Sequence, residues 1–124
     1  MEGVAFACRK NIDLMKGRGK RVDRLIAAAG GAKTGLWLEI KAGIYDCPIL
    51  IPSEPECGVL GCAVLAGLSC GVYSDLGATV SRLVQYEREV FPNPVWVDQY
   101  RKMQPVFNAI YESSGESWDR LDRL

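Results

Sequence analysis

The sequence predicts an α/β fold, and three observations carry that expectation. An apolar run, Leu25-Ile26-Ala27-Ala28-Ala29, shows no alternation and ends in the paired glycines Gly30 and Gly31. An amphipathic stretch follows at once, and a second short apolar run, Ile49 to Ile51, is bracketed by Pro48 and Pro52. Strand, helix, strand with a helical crossover calls for parallel pairing and a right-handed connection.

Each element has a local reason. Residues Glu2 to Met15 place Val4, Cys8, Ile12 and Met15 at three-to-four spacing, the pattern of a helix packed on one side, and Gly17 and Gly19 stop it. Arg24 to Ala29 reads as a central strand covered on both faces, because continuous apolar runs belong to buried parallel strands. Thr34 is placed to cap the next helix, whose apolar face holds Leu36, Trp37, Ile40 and Ile44. From Glu56 a helix rich in small residues begins, with Gly58, Gly61, Ala63, Ala66 and Gly67 allowing close backbone approach. Asp75 is the expected cap of a helix running through Val84. Asn93 and Pro94 form an N-cap and first-turn pair for the last helix, where Trp96, Tyr100, Met103, Phe107 and Ile110 share a core stripe interrupted by Pro105.

Only two strands are expected, and two make a poor sheet. The open strand edges and the small-residue face of the Glu56 helix therefore call for a partner chain or for more of a longer polypeptide.

Composition bounds the function. The 124 residues, 48% of them hydrophobic, suit a single domain spanning 1–124. Fifteen basic and fifteen acidic side chains cancel, so nothing favours a nucleic-acid backbone. The cluster Lys16, Arg18, Lys20 and Arg21 reads as a solvated turn or, alternatively, as a phosphate contact. The longest apolar stretch, Val59 to Val72, is broken by glycines and too short for a bilayer, so no membrane association is expected. Five cysteines, at 8, 47, 57, 62 and 70, fall inside expected elements without a zinc-type spacing. They are read as buried thiols, as in a reducing cytoplasm. The absence of histidine removes hydrolase arrangements that depend on an imidazole base.

Among the acids, Glu54 and Glu56 flank Pro55 and read either as a helix-start carboxylate pair or as an acid or metal ligand. Glu87, Glu89, Asp119 and Asp122 have the pattern of surface charge. No catalytic residue and no metal ligand is assigned.

Gly30 and Gly31 are the candidate binding residues. Lacking a Cβ, they let the backbone adopt unusual dihedrals and let a ligand approach the peptide groups. The helix after them presents free N–H groups and a positive dipole end to a phosphate or another electron-rich group. A tight strand-to-helix turn with no ligand fits the same residues.

Several segments in order resemble the C-terminal part of the FGGY carbohydrate kinases, in particular the xylulokinase-like members. They are Glu2-Gly3-Val4-Ala5-Phe6, then Ala29-Gly30-Gly31-Ala32-Lys33-Thr34 with Leu36-Trp37, and Pro55-Glu56 followed by Leu60-Gly61-Cys62-Ala63 and Leu65-Ala66-Gly67. Gly71-Val72-Tyr73 and the helix after Asn93-Pro94 continue the likeness. The resemblance implies a partial actin-like, ribonuclease H-like ATPase domain, with short parallel strands, crossover helices and a helical C-terminal end. Family members are several times longer, and two such domains close over sugar and ATP. This chain would be the later portion of the second.

The resemblance also implies ATP-dependent phosphorylation of a sugar or polyol hydroxyl, with Mg2+ in the complete enzyme. Gly30 and Gly31 would lie beside the nucleotide and Thr34 near the adenine. Ala29 stands where many members have a glycine, Glu39 where glutamine is common, and Gly43 where an aspartate is common; Lys33 matches a lysine of the xylulokinase-like branch. The family's general base and its phosphate-holding turns lie upstream of the matched segment. The isolated chain is therefore expected to be inactive, with the N-terminal kinase domain or further copies of itself as partner. A non-catalytic module that binds nucleotide or self-associates is the alternative.

Overall fold

The computed structural model describes residues 1–54, 56–115, 117–118 and 123. The elements run α1 (Glu2–Gly17), β1 (Leu25–Ile26), a 3₁₀ turn (Ala29–Ala32), α2 (Gly35–Tyr45), β2 (Ile49–Pro52), α3 (Cys57–Ser69), α4 (Leu76–Leu83), β3 (Tyr86–Val90) and α5 (Pro94–Ser113).

The sheet has the order β1-β2-β3. Strands β1 and β2 are parallel, with Leu25 opposite Ile49 and Ile26 opposite Leu50, and α2 forms the crossover between them. The α/β class and the parallel pair thus match the sequence expectation. Two corrections apply to the sheet. A third strand, β3, pairs antiparallel with β2, placing Val90 against Ile49 and Arg88 against Ile51. It also makes β2 the central strand, with all four of its residues buried. The run expected at Arg24–Ala29 shrinks to two residues at an edge, where Ile26 is 55% exposed. The β2–β3 register shifts between Ile51 and Pro52. Proline has no N–H to give the ladder, so regular pairing ends there.

The core gathers where α1, α2, β2 and α5 meet. Leu38, Ile40, Ala42 and Ile44 of α2 are buried with Ile49 and Ile51 of β2, with Ala5, Phe6 and Ile12 of α1, and with Tyr100 of α5. On α1 the buried stripe differs from the one expected. Ile12 belongs to both, whereas Val4, Cys8 and Met15 are exposed, because Ala5 and Phe6 are the residues turned inward. Phe6 stacks on Phe107 at 5.3 Å and meets Tyr100 edge-on at 5.8 Å. These contacts decide the face. The α5 stripe is core at Tyr100, with Trp96 and Phe107 packed against it, but Met103 and Ile110 are exposed. On α2, Ile40 and Ile44 are buried while Leu36 is exposed.

Helix ends follow the sequence closely. The Asp75 side chain accepts from the Ala78 N–H, and Asn93 accepts from Val95 N–H at 2.9 Å with Pro94 in the first turn. Helix α1 ends at Gly17, and Gly19 takes the left-handed conformation at φ +76°.

Helix α3 stands apart from the main core. Of its 13 residues only Val64 is buried, while Val59 and Leu65 are exposed. It packs on α4, and an apolar cavity of about 280 Å³ opens between them, walled by Leu60, Val64, Leu65, Leu76, Val80 and Leu83. The cysteines are also more open than expected. Cys47 is buried, with its thiol pushed up by that burial, and Cys57 is partly buried, but Cys8, Cys62 and Cys70 are exposed. Among the described residues no helix is long and apolar enough to cross a membrane.

Candidate functional site

The glycine turn is built between β1 and α2. Strand β1 is pinned to β2 by the Leu25 N–H to Pro48 carbonyl bond at 2.9 Å and the Ala27 N–H to Leu50 carbonyl bond at 3.0 Å. Ala28 is extended, and the chain then bends into the 3₁₀ turn Ala29–Ala32. Ala32 is buried and anchors the turn from below, whereas Gly30 and Thr34 are exposed.

The unusual dihedral expected at the glycines falls one residue earlier. Ala29 has φ +53°, whereas neither Gly30 nor Gly31 lies in the left-handed region. For an alanine this conformation costs about 1–2 kcal/mol, because its Cβ crowds the following carbonyl. The two glycines have different surroundings. A Cβ on Gly30 would point into open space, while one on Gly31 would lie 3.4 Å from the Lys41 Nζ. Lys41 reaches back from the middle of α2 and donates to the Gly31 carbonyl at 3.0 Å.

Thr34 occupies the N-cap position of α2, and its carbonyl accepts the first helical bond from Leu38 N–H at 3.1 Å. Its hydroxyl, however, caps nothing. The first-turn N–H groups of α2 therefore have no side-chain partner from the cap. Lys33 points to the start of α3, with its Nζ 4.0 Å from the Glu56 carboxylate. The Glu54 carboxylate accepts from the Glu56 N–H at 2.9 Å. Both acids thus serve the start of α3, the helix-start reading of that pair, and Pro55 between them lies outside the described residues.

The other charged candidates behave as surface groups. Lys16, Arg18, Lys20 and Arg21 are exposed, and Arg21 pairs with Asp23 at 3.1 Å. Glu87 and Glu89 are exposed on β3. Asp119 and Asp122 lie outside the described residues. Among the described residues no group of three His, Cys, Asp or Glu side chains is placed to hold a metal ion.

The apolar cavity between α3 and α4 is not lined by Gly30, Gly31 or Thr34. Gly30 and Thr34 stand exposed at the turn, away from that cavity.

A model of the FGGY family of carbohydrate kinases, C-terminal domain, matches residues 1–70. The chain belongs to the FGGY family of carbohydrate kinases. It is 35% identical over 111 residues to an autoinducer-2 kinase of Photorhabdus laumondii, covering 89% of this chain and 21% of that protein. An autoinducer-2 kinase of Enterobacter sp. (strain 638) is 38% identical over 93 residues, 75% of this chain and 18% of that one. Among solved structures, a gluconate kinase from Lactobacillus acidophilus superposes with a TM-score of 0.83 at 26% identity, over 97% of this chain and 24% of that one. A xylulose kinase from Rhodospirillum rubrum gives 0.75 at 27% identity, over 95% of this chain and 24% of that one. The chain thus spans about a fifth of the length of the curated relatives it matches.

Within this FGGY chain, the residues that sequence reasoning selected and those that shape the turn only partly coincide. Gly30, Gly31 and Thr34 lie in the turn and cap just before α2, Gly30 and Thr34 exposed and Gly31 half-buried. Sequence reasoning did not single out Lys41. Its one sequence signal was a lysine four residues after Trp37 on the same helix, the spacing at which two side chains meet.

Proposed function

We propose that this chain supplies the adenosine-side wall of the nucleotide site in an FGGY-type kinase that transfers the γ-phosphate of ATP to a sugar or polyol hydroxyl. Residues 1–124 act in this reading as one unit, the later portion of the second kinase domain. The observation that carries it is the turn Ala29–Thr34: Gly30 has an open face where a Cβ would otherwise stand, beside a helix start whose N–H groups lack a side-chain cap. Such a surface lets a flat or electron-rich group lie against backbone. Membership of the FGGY family, and relatives named for autoinducer-2, gluconate and xylulose, support a small hydroxylated acceptor.

In this reading Gly30 and Gly31 bring peptide groups beside the nucleotide, and Thr34 offers its uncommitted hydroxyl near the adenine. Phosphoryl transfer depends on positioning and on neutralising charge at the γ-phosphate. The family resemblance puts the general base and the phosphate-holding turns upstream of this segment, so in this reading the chain on its own turns nothing over.

A second reading, a module that binds nucleotide or self-associates without catalysis, draws on the exposed α3 and the open edge of β1. Complementation separates the two. The chain is mixed with the upstream portion of an FGGY kinase, and ADP release is measured with and without a panel of sugars and polyols. Sugar-dependent turnover in the mixture alone supports the kinase reading. Self-association with no turnover in any mixture supports the module.

A further inference from the structure

The glycine turn ends on a weak hydrogen bond. That bond, from the Lys33 N–H just past the turn to the Gly30 carbonyl, is long at 3.4 Å. The residue that opens the turn, Ala29, sits in a conformation that alanine disfavours, at φ +53°. A contact from outside the turn bears on its shape directly.

We infer that Lys41 is the positioning residue of this turn, a cationic clamp that fixes the Gly31 peptide and so leaves the Gly30 face free for a ligand. Three geometric facts converge on one atom. The Lys41 Nζ lies 3.0 Å from the Gly31 carbonyl oxygen, as a charge-assisted donor. It lies 3.4 Å from where a Gly31 Cβ would stand, so the ammonium sits directly against this residue. It also sits 5.1 Å from the centre of the Trp37 ring, one helical turn back, and the ring face holds the ammonium in place.

The lysine is partly sequestered as well. Its stem lines a groove of about 270 Å³ with Ile12, Leu25, Ala27, Tyr45 and Ile49, beside Cys8. Burial there moves its pKa below the usual lysine value, with Cys8 opposing the shift. A lysine reaching for solvent would not be desolvated in this way.

The clamp assigns different roles to the two glycines. Gly31 is the residue whose peptide Lys41 holds, and Gly30 is the residue whose open face meets a ligand. The consequence for nucleotide rests on the function proposed above; the ordering of the turn does not.

The test uses the complete chain with Lys41→Met, which keeps an apolar stem of similar length, and Lys41→Arg, which keeps a donor able to stack on Trp37. Hydrogen–deuterium exchange of the Ala29–Thr34 amides is followed without nucleotide, beside the melting temperature. Exchange about tenfold faster in Lys41→Met and close to wild type in Lys41→Arg, with α2 and β2 unchanged, is the expected result. Equal loosening in both variants, or none in Lys41→Met, overturns the clamp. ATP affinity is then compared between wild type and Lys41→Met: a several-fold loss extends the clamp to ligand binding. Wild-type protein that binds no ATP even when complemented removes the nucleotide reading, while the exchange result still decides the clamp.

Discussion

A Cβ on Gly43 would lie 3.1 Å from the ring of Tyr100, and this near-contact sets how closely α2 and α5 approach. The ring has little room to yield. It is buried, it meets Phe6 edge-on at 5.8 Å and Trp96 at 6.4 Å, and its hydroxyl donates to Glu2 at 2.8 Å. Gly43 therefore has a packing reason of its own at a position where the family resemblance leads one to expect aspartate. Gly43→Ala gains about 1 kcal/mol of helix propensity but loses about 1–3 kcal/mol to overpacking, a net destabilisation of about 1 kcal/mol. Gly43→Asp also buries a carboxylate and is expected to cost about 3 kcal/mol. Urea unfolding of the three proteins checks the order; a more stable Gly43→Asp would contradict it.

Ala29 offers a gain. Ala29→Gly relieves about 1–2 kcal/mol of left-handed strain and returns about 0.4–1 kcal/mol to the unfolded chain as entropy. The variant is expected to be more stable by roughly 0.5–1 kcal/mol, and Ala29→Val less stable than wild type. Calorimetric melting of the pair is the check. Asp46, also left-handed at φ +50°, should respond less to glycine, because aspartate tolerates that region better.

The pattern of what was legible follows from which contacts are local. The caps Asp75 and Asn93, the stop at Gly17 and the strand between two prolines are all decided within a few residues, and the structure has them as read. Strand β3 was not legible because Tyr86-Glu87-Arg88-Glu89 has no apolar alternation to signal one. It is held by backbone pairing to β2, which side chains do not announce, and its charges suit an exposed edge. The α1 face was misjudged for a different reason. Val4, Cys8, Ile12 and Met15 satisfy helical spacing as well as Ala5 and Phe6 do, and only Phe107 and Tyr100 on a distant helix break the tie. At the candidate site the glycines and Thr34 stood out by residue type. Lys41 did not, because its meaning comes from a carbonyl ten residues earlier that the fold brings within 3.0 Å.

Tyr100 gives the protein an alkaline limit. Burial, then the hydrogen bond to Glu2, pushes its hydroxyl up to about 12. A group whose folded pKa is raised contributes its full stability below the unfolded value, near 10, and loses it as pH climbs through the folded value. Stability should therefore fall between pH 10 and about 12. Tyr45, raised by burial in the same direction, adds to the fall. Tyr100→Phe should cost about 1 kcal/mol at pH 7, through the lost bond to Glu2, and flatten the alkaline part of the curve. An unchanged slope above pH 10 would show that Tyr100 ionises freely.

Gly30→Val tests the open face without disturbing the fold. Gly30 is outside the left-handed region and a Cβ there meets nothing within 4 Å, so the variant is expected to melt within a few degrees of wild type. Its branched side chain would stand where the ligand is expected, and ATP affinity should drop at least tenfold. A folded Gly30→Val protein with unchanged affinity would move the nucleotide elsewhere.

The most direct measurement labels the 13 glycines with ¹⁵N and follows their amide signals as ATP is added to the chain assembled with the upstream portion of an FGGY kinase. Shifts concentrated at Gly30, Gly31 and Gly35 are the predicted result, because the turn and the start of α2 would form the adenosine-side wall. Shifts confined to Gly58 and Gly61 on α3, with the turn silent, would contradict the account and place the nucleotide against the helix beside the apolar cavity.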